Sequence, residues 1–111
     1  MGDKSSRIGK ESKMHVQLPA DKIADFCRAN FVHKLSLFGS VLRDDFRSDS
    51  DIDILVEFES GHTPDLFEFM RMERELTAMA GGRKVDLRTP EDLSRYFRAE
   101  VVSHAQTQYA A

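Results

Sequence analysis

The chain has 111 residues, room for one domain with one hydrophobic core and too little for a second independent one. Hydrophobic residues make up 41% and charged residues 32%, as in a folded domain, and the net charge of −3 argues against broad, sequence-independent nucleic-acid binding, which relies on a cationic surface. A single cysteine, Cys27, excludes an internal disulfide, the four histidines are too dispersed for a Cys/His zinc site, and no apolar run approaches the roughly 18 residues of a membrane span, so a reducing cytosol and no membrane partner are expected.

Residues 1–13, "MGDKSSRIGKESK", lack the apolar core of a signal peptide and read as a disordered polar leader, with one domain over 14–111. Pro19 stands at the first turn of a helix whose inner face is Ile23, Phe26, Cys27 and Phe31. "KLSLF", residues 34–38, alternates Leu35 and Leu37 inward with Ser36 and Phe38 outward and stops at Gly39, a strand followed by a turn. "DIDILVEF" has the same period: Ile52, Ile54, Val56 and Phe58 share one face, and Asp51 and Asp53 lie on the other. Thr63 and Pro64 predict the cap and first turn of a helix with Leu66, Phe69, Met70, Leu76 and Ala80 inside, ended by Gly81 and Gly82. "KVDLR", residues 84–88, is a third strand with Asp86 opposite Val85 and Leu87. Thr89 and Pro90 predict a last helix carrying Leu93, Phe97 and Val101. The expected fold class is therefore α/β (α+β), a small sheet with helices packed on its aliphatic face.

Parity alone puts Asp51, Asp53 and Asp86 on the face away from the helices, and consecutive strands that pair bring them together. Bare carboxylates at that separation repel by roughly a kcal/mol or more per close pair, a sign that a divalent cation reverses. Hard oxygen ligands suit Mg²⁺ or Mn²⁺, ions that complete their shell with water and phosphate. Gly39 and Ser40 stand where the first strand gives way to a turn, so main chain can approach an anion there and a hydroxyl can donate to it. Arg43, one turn on, offers a planar fork for a phosphate oxygen. Asp44, Asp45, Arg47 and Asp49 read as a solvated turn, Met70, Met72 and Met79 as core filler, and no histidine is given a role.

"GSVLRDDFRSDSDID" resembles the signature of the polymerase-beta-like nucleotidyltransferase superfamily: Gly-Ser, ten residues, then Asp-any-Asp, met by Gly39, Ser40, Asp51 and Asp53. Asp86 falls where that family carries its third carboxylate, and the size resembles its minimal bacterial and archaeal members. The resemblance implies a nucleotidyltransferase fold with a mixed sheet. It also implies that Asp51 and Asp53 bridge two Mg²⁺ ions (Mn²⁺ being the alternative), that Asp86 ligates one of them, and that Gly39, Ser40 and Arg43 hold the phosphates of ATP. Family members often follow that arginine with Gly, where this chain has Asp44, so the loop shape departs from the pattern. Minimal members are paired with HEPN-type helical RNase toxins, so the resemblance implies AMP transfer to a partner tyrosine and an antitoxin role. The alternatives are a binder that masks its partner sterically and a small-molecule nucleotidyltransferase working as a homodimer. The exposed apolar positions of the last helix, Leu93, Tyr96, Phe97 and Val101, are the candidate interface in each case.

Overall fold

The computed structural model of the protein describes residues 18–42 and 50–111, and for Ser40 and Val41 the main chain alone. The polar leader and the acidic turn with Arg43, Asp44, Asp45, Arg47 and Asp49 lie outside the described residues. In chain order the described elements are α1 (Ala20–Ala29), β1 (Val32–Phe38), a 3-10 turn (Gly39–Leu42), β2 (Ile52–Phe58), α2 (Leu66–Met79), β3 (Val85–Arg88), a second 3-10 turn (Pro90–Asp92), α3 (Arg98–His104) and β4 (Gln106–Ala110). The strands form one sheet in the order β3-β2-β1-β4, with β2 parallel to β3 and β1 antiparallel to both β2 and β4. No described helix is long and apolar enough to cross a membrane.

The aliphatic face of the sheet behaves as the alternation predicts. Leu35, Leu37, Ile52, Ile54, Val56, Val85 and Leu87 are buried in one cluster with Ile23, Phe26 and Cys27 of α1 and Met72 and Leu76 of α2. Hydrophobic burial worth roughly 1.5–3 kcal/mol for each such side chain fixes which face of β1, β2 and β3 points inward. The opposite face is closed in part as well: Ser36 and Leu55, partners across β1 and β2, are both buried. β1 is an inner strand of the sheet, which explains why its run Leu35, Ser36, Leu37 has no exposed member.

Four expectations are corrected. Phe31 is not on the helix face: α1 ends at Ala29, and Phe31 takes a positive φ of 58° and stacks its ring on His62 at 4.0 Å. Asp65, not Thr63, caps α2, accepting the Glu68 N–H at 2.8 Å. That later start centres the buried stripe on Met72 and Leu76 with Phe69 and Met79 beside it, and leaves Leu66 69% and Met70 45% exposed. The helix expected from Thr89 is broken. Asp92 closes a turn by accepting the Thr89 N–H, Leu93 is extended, Ser94 Oγ accepts the Tyr96 N–H, and the helix begins only at Arg98. Side chains that bond the nearby main chain compete with helix there. Finally, the chain adds a strand, β4, that the sequence pattern does not predict, because "QTQYA" has almost no apolar alternation. It is held through its main-chain pairing with β1 and by Tyr109 against the core.

Burial pushes the Cys27 thiol up to about 12, while the neighbouring Arg28 charge pulls weakly the other way. Because the folded thiol titrates above the unfolded one, its contribution to stability is complete below the ordinary thiol pKa and is lost as pH rises through about 12. We therefore expect iodoacetamide at mildly alkaline pH to alkylate Cys27 only after denaturation, read by intact mass. Labelling of the native protein at the rate of a free thiol would contradict this packing.

Candidate active site

The site is assembled where β1, β2 and β3 run side by side. β1 ends at Phe38, which lies opposite Asp53 of β2, and the chain leaves the strand through Gly39 with φ +73° into the turn Gly39–Leu42. Gly39 lies directly over the Asp53 side chain: a Cβ at that position would overlap Oδ2 and stand 3.1 Å from Cγ. Glycine is required twice over, by the left-handed backbone and by the close approach of main chain to carboxylate. On the other side of β2, Asp53 is in register with Asp86 of the parallel strand β3. Both carboxylates therefore leave the same face from strands about 4.8 Å apart.

Asp51 precedes β2 and is exposed. Pairing already begins there, since the Ile52 N–H donates to the Lys84 carbonyl at 2.9 Å, and Arg83 Nη2 reaches the Ser50 carbonyl at 3.4 Å. Arg83 thus serves the entry to β2. The structure brings Asp53 and Asp86 together, with Asp51 at the strand entrance. No three acidic, histidine or cysteine side chains among the described residues already stand as a metal-ligand cluster. Of the predicted phosphate-holding residues, Gly39 is placed against Asp53, Ser40 lies in the turn with its main chain alone described, and Arg43 is outside the described residues.

Arg88 is the group that sequence reasoning left unassigned. Its Nε and Nη2 donate to Asp86 Oδ1 and Oδ2 at 3.1 and 3.2 Å, a two-point fork on one carboxylate. The hydrogen bond to Asp86 and then that carboxylate's charge raise the guanidinium pKa further, against slight desolvation, with Asp92 and Asp53 adding to the same effect. The signal was present in the sequence as parity, because residues 86 and 88 of one strand share a face.

The overlap at Gly39 makes a measurable coupling. Gly39→Ala is expected to destabilise the fold by more than the about 1–2 kcal/mol of a left-handed non-glycine residue, whereas in an Asp53→Ala background most of the excess should disappear, leaving the backbone cost and the mild crowding of the residue 53 Cβ at 3.3 Å. Urea unfolding of the two single variants and the double variant measures it. Additive losses would show that the turn does not rest on Asp53.

The comparisons with known proteins fit this geometry. Over 56 residues the chain is 45% identical to the protein adenylyltransferase MntA of Thermococcus cleftensis, a stretch covering 50% of this chain and 54% of that protein, so the chain spans about half the length of that relative. Over 84 residues it is 32% identical to a Methanocaldococcus jannaschii protein assigned as a protein adenylyltransferase, covering 76% of this chain and 87% of that one. Among solved structures, a toxin–antitoxin complex with AMP-PNP superposes with a TM-score of 0.66 at 26% identity over 85% of this chain and 75% of that chain. The tri-AMPylated HEPN toxin of Shewanella oneidensis in complex with an MNT antitoxin matches with a TM-score of 0.59 at 26% identity, over 83% of this chain and 70% of that chain. The family model for the nucleotidyltransferase domain matches residues 20–107, a span that holds Gly39, Asp51, Asp53 and Asp86, and the chain belongs to that family.

Proposed function

We propose that the protein transfers AMP from ATP to a tyrosine hydroxyl of a partner HEPN-type RNase toxin and so acts as its antitoxin. The observation that carries this reading is the placement of Gly39 over Asp53 with Asp86 in register beside it, on a nucleotidyltransferase scaffold. Supporting the choice of substrate and partner are a relative named as a protein adenylyltransferase, a similar toxin–antitoxin structure holding AMP-PNP, and another whose HEPN toxin carries AMP.

A nucleotidyltransferase domain suggests divalent-metal use, and the donor set fits it: hard carboxylate oxygens on one sheet face, with main chain closing over one of them. We assign Asp51, Asp53 and Asp86 as the residues that would hold Mg²⁺, with two ions expected and Mn²⁺ as the alternative. Metal held there supplies charge neutralisation for the triphosphate and lowers the pKa of the acceptor hydroxyl. In this proposal the turn Gly39–Leu42 would offer main-chain N–H groups to the terminal phosphates, with Gly39 letting the backbone turn sharply over Asp53. Ser40 adds a hydroxyl donor in this proposal and Arg43 a guanidinium. In the reaction a bond forms between the tyrosine oxygen and the α-phosphorus, the bond from that phosphorus to the β-phosphate bridge oxygen breaks, pyrophosphate leaves, and the hydroxyl proton is released.

Incubating the protein with Mg²⁺, ATP labelled at the α-phosphate and the HEPN-type partner should place label on the partner, and Asp53→Ala should reduce it to background. A tight complex that forms without label would leave a binder that masks its partner. Turnover onto small hydroxyl compounds with no partner present would point instead to a small-molecule enzyme.

A further inference from the structure

The outer edge of β3 is completed by a helix. Among the described residues β3 ends the sheet and pairs with β2 on one side only, and the N–H groups of Val85 and Leu87 point away from β2. Each is met by a side chain of α2: the Val85 N–H donates to Thr77 Oγ1 at 3.1 Å, and the Leu87 N–H donates to Glu73 Oε2 at 2.9 Å. Residues 73 and 77 stack one turn apart on the helix, a rise of about 6 Å. Alternate residues of a strand are about 6.6 Å apart, so the two repeats match and α2 supplies two rungs of a ladder. On the neighbouring stripe of the same helix, Met72 and Leu76 are buried in the core, which sets the rotation that aims 73 and 77 at the edge.

Asp86 lies between the two clamped residues. β3 has four residues and, among the described strands, a single neighbour in the parallel arrangement, which is the weaker pairing per residue. A slip or tilt of this strand would carry Asp86 away from Asp53. A carboxylate accepting a main-chain N–H makes a charge-assisted bond about twice as strong as a neutral one, and it holds the residue immediately after Asp86.

We propose that Glu73, seconded by Thr77, is a positioning residue of the nucleotidyltransferase site, holding β3 in the register that sets Asp86 beside Asp53. The proposal rests on the reading of Asp86 as a metal ligand. Glu73→Gln keeps an acceptor oxygen and Glu73→Ala removes it, so the pair separates the hydrogen bond from the charge.

The test uses the full chain with AMP-PNP, following Leu87 amide exchange and the Mn²⁺-induced broadening of the Asp53 and Asp86 resonances by NMR. Ile23→Val, a core change beneath α1, serves as a control for general loss of stability. In Glu73→Ala, Leu87 should exchange about tenfold faster, and Asp86 should need about tenfold more Mn²⁺ for the same broadening, the low end of the cost of losing a group that bonds a ligand directly, since Glu73 acts one residue away. Glu73→Gln should restore both, and Ile23→Val should change neither. Unchanged Leu87 exchange in Glu73→Ala, or a loss of Mn²⁺ response no larger than that of Ile23→Val, overturns the positioning role alone. A wild-type chain whose Asp86 does not respond to Mn²⁺ overturns the metal-ligand reading and the proposal with it.

Discussion

The register of β2 against its two neighbours is the constraint on which the rest of the structure depends. Side chains of a strand alternate, so a slip by one residue would turn Asp51 and Asp53 toward the core and expose Ile52, Ile54 and Val56. Burying each aliphatic residue is worth roughly 1.5–3 kcal/mol, whereas two carboxylates facing each other on a partly solvated face cost roughly a kcal/mol or more. Hydrophobic burial wins that comparison. The acids are brought together as a consequence of what α1 and α2 cover on the other side of the sheet.

The fold then manages the charge it has gathered. Within the chain, Arg88 grips both oxygens of Asp86, and main chain at Gly39 lies against Asp53. The two devices differ in kind. Arg88 is a long, half-exposed side chain able to turn away, whereas the Gly39 contact is built into the backbone and admits no side chain. The carboxylate under the backbone turn and the carboxylate held by a side chain therefore differ in what would have to move for each to be released.

Parallel pairing of β2 and β3 requires a crossover, and α2 provides it. One helix does three jobs through three stripes: Met72 and Leu76 fill the core, Glu73 and Thr77 finish the sheet edge, and Leu66 and Phe67 are left outward at its first turn. After β3 the chain is less regular. Arg98 bonds the carbonyls of Pro90 and Leu93 and so ties α3 back to the turn, leaving Tyr96 81% and Phe97 61% exposed between them. With Leu66 and Phe67, these aromatics are among the exposed large apolar side chains of the described residues.

What the sequence by itself determined was everything that repeats or that carries a rare pairing of residue types. The period of two in "DIDILVEF" and "KVDLR" assigned each aspartate to a face, the glycine pair after α2 marked its end, and Gly39, Ser40, Asp51 and Asp53 at their spacing were enough to name a family. Tertiary structure alone decided the rest, because the deciding partners lie far along the chain. β4 exists by main-chain pairing with β1, which no side-chain pattern announces. The contact of Gly39 with Asp53 needs β1 and β2 to pair, and the reach of Glu73 to Leu87 needs α2 to be rotated by its own core residues. Alternation tells which way a side chain points; only packing of distant segments tells what it meets.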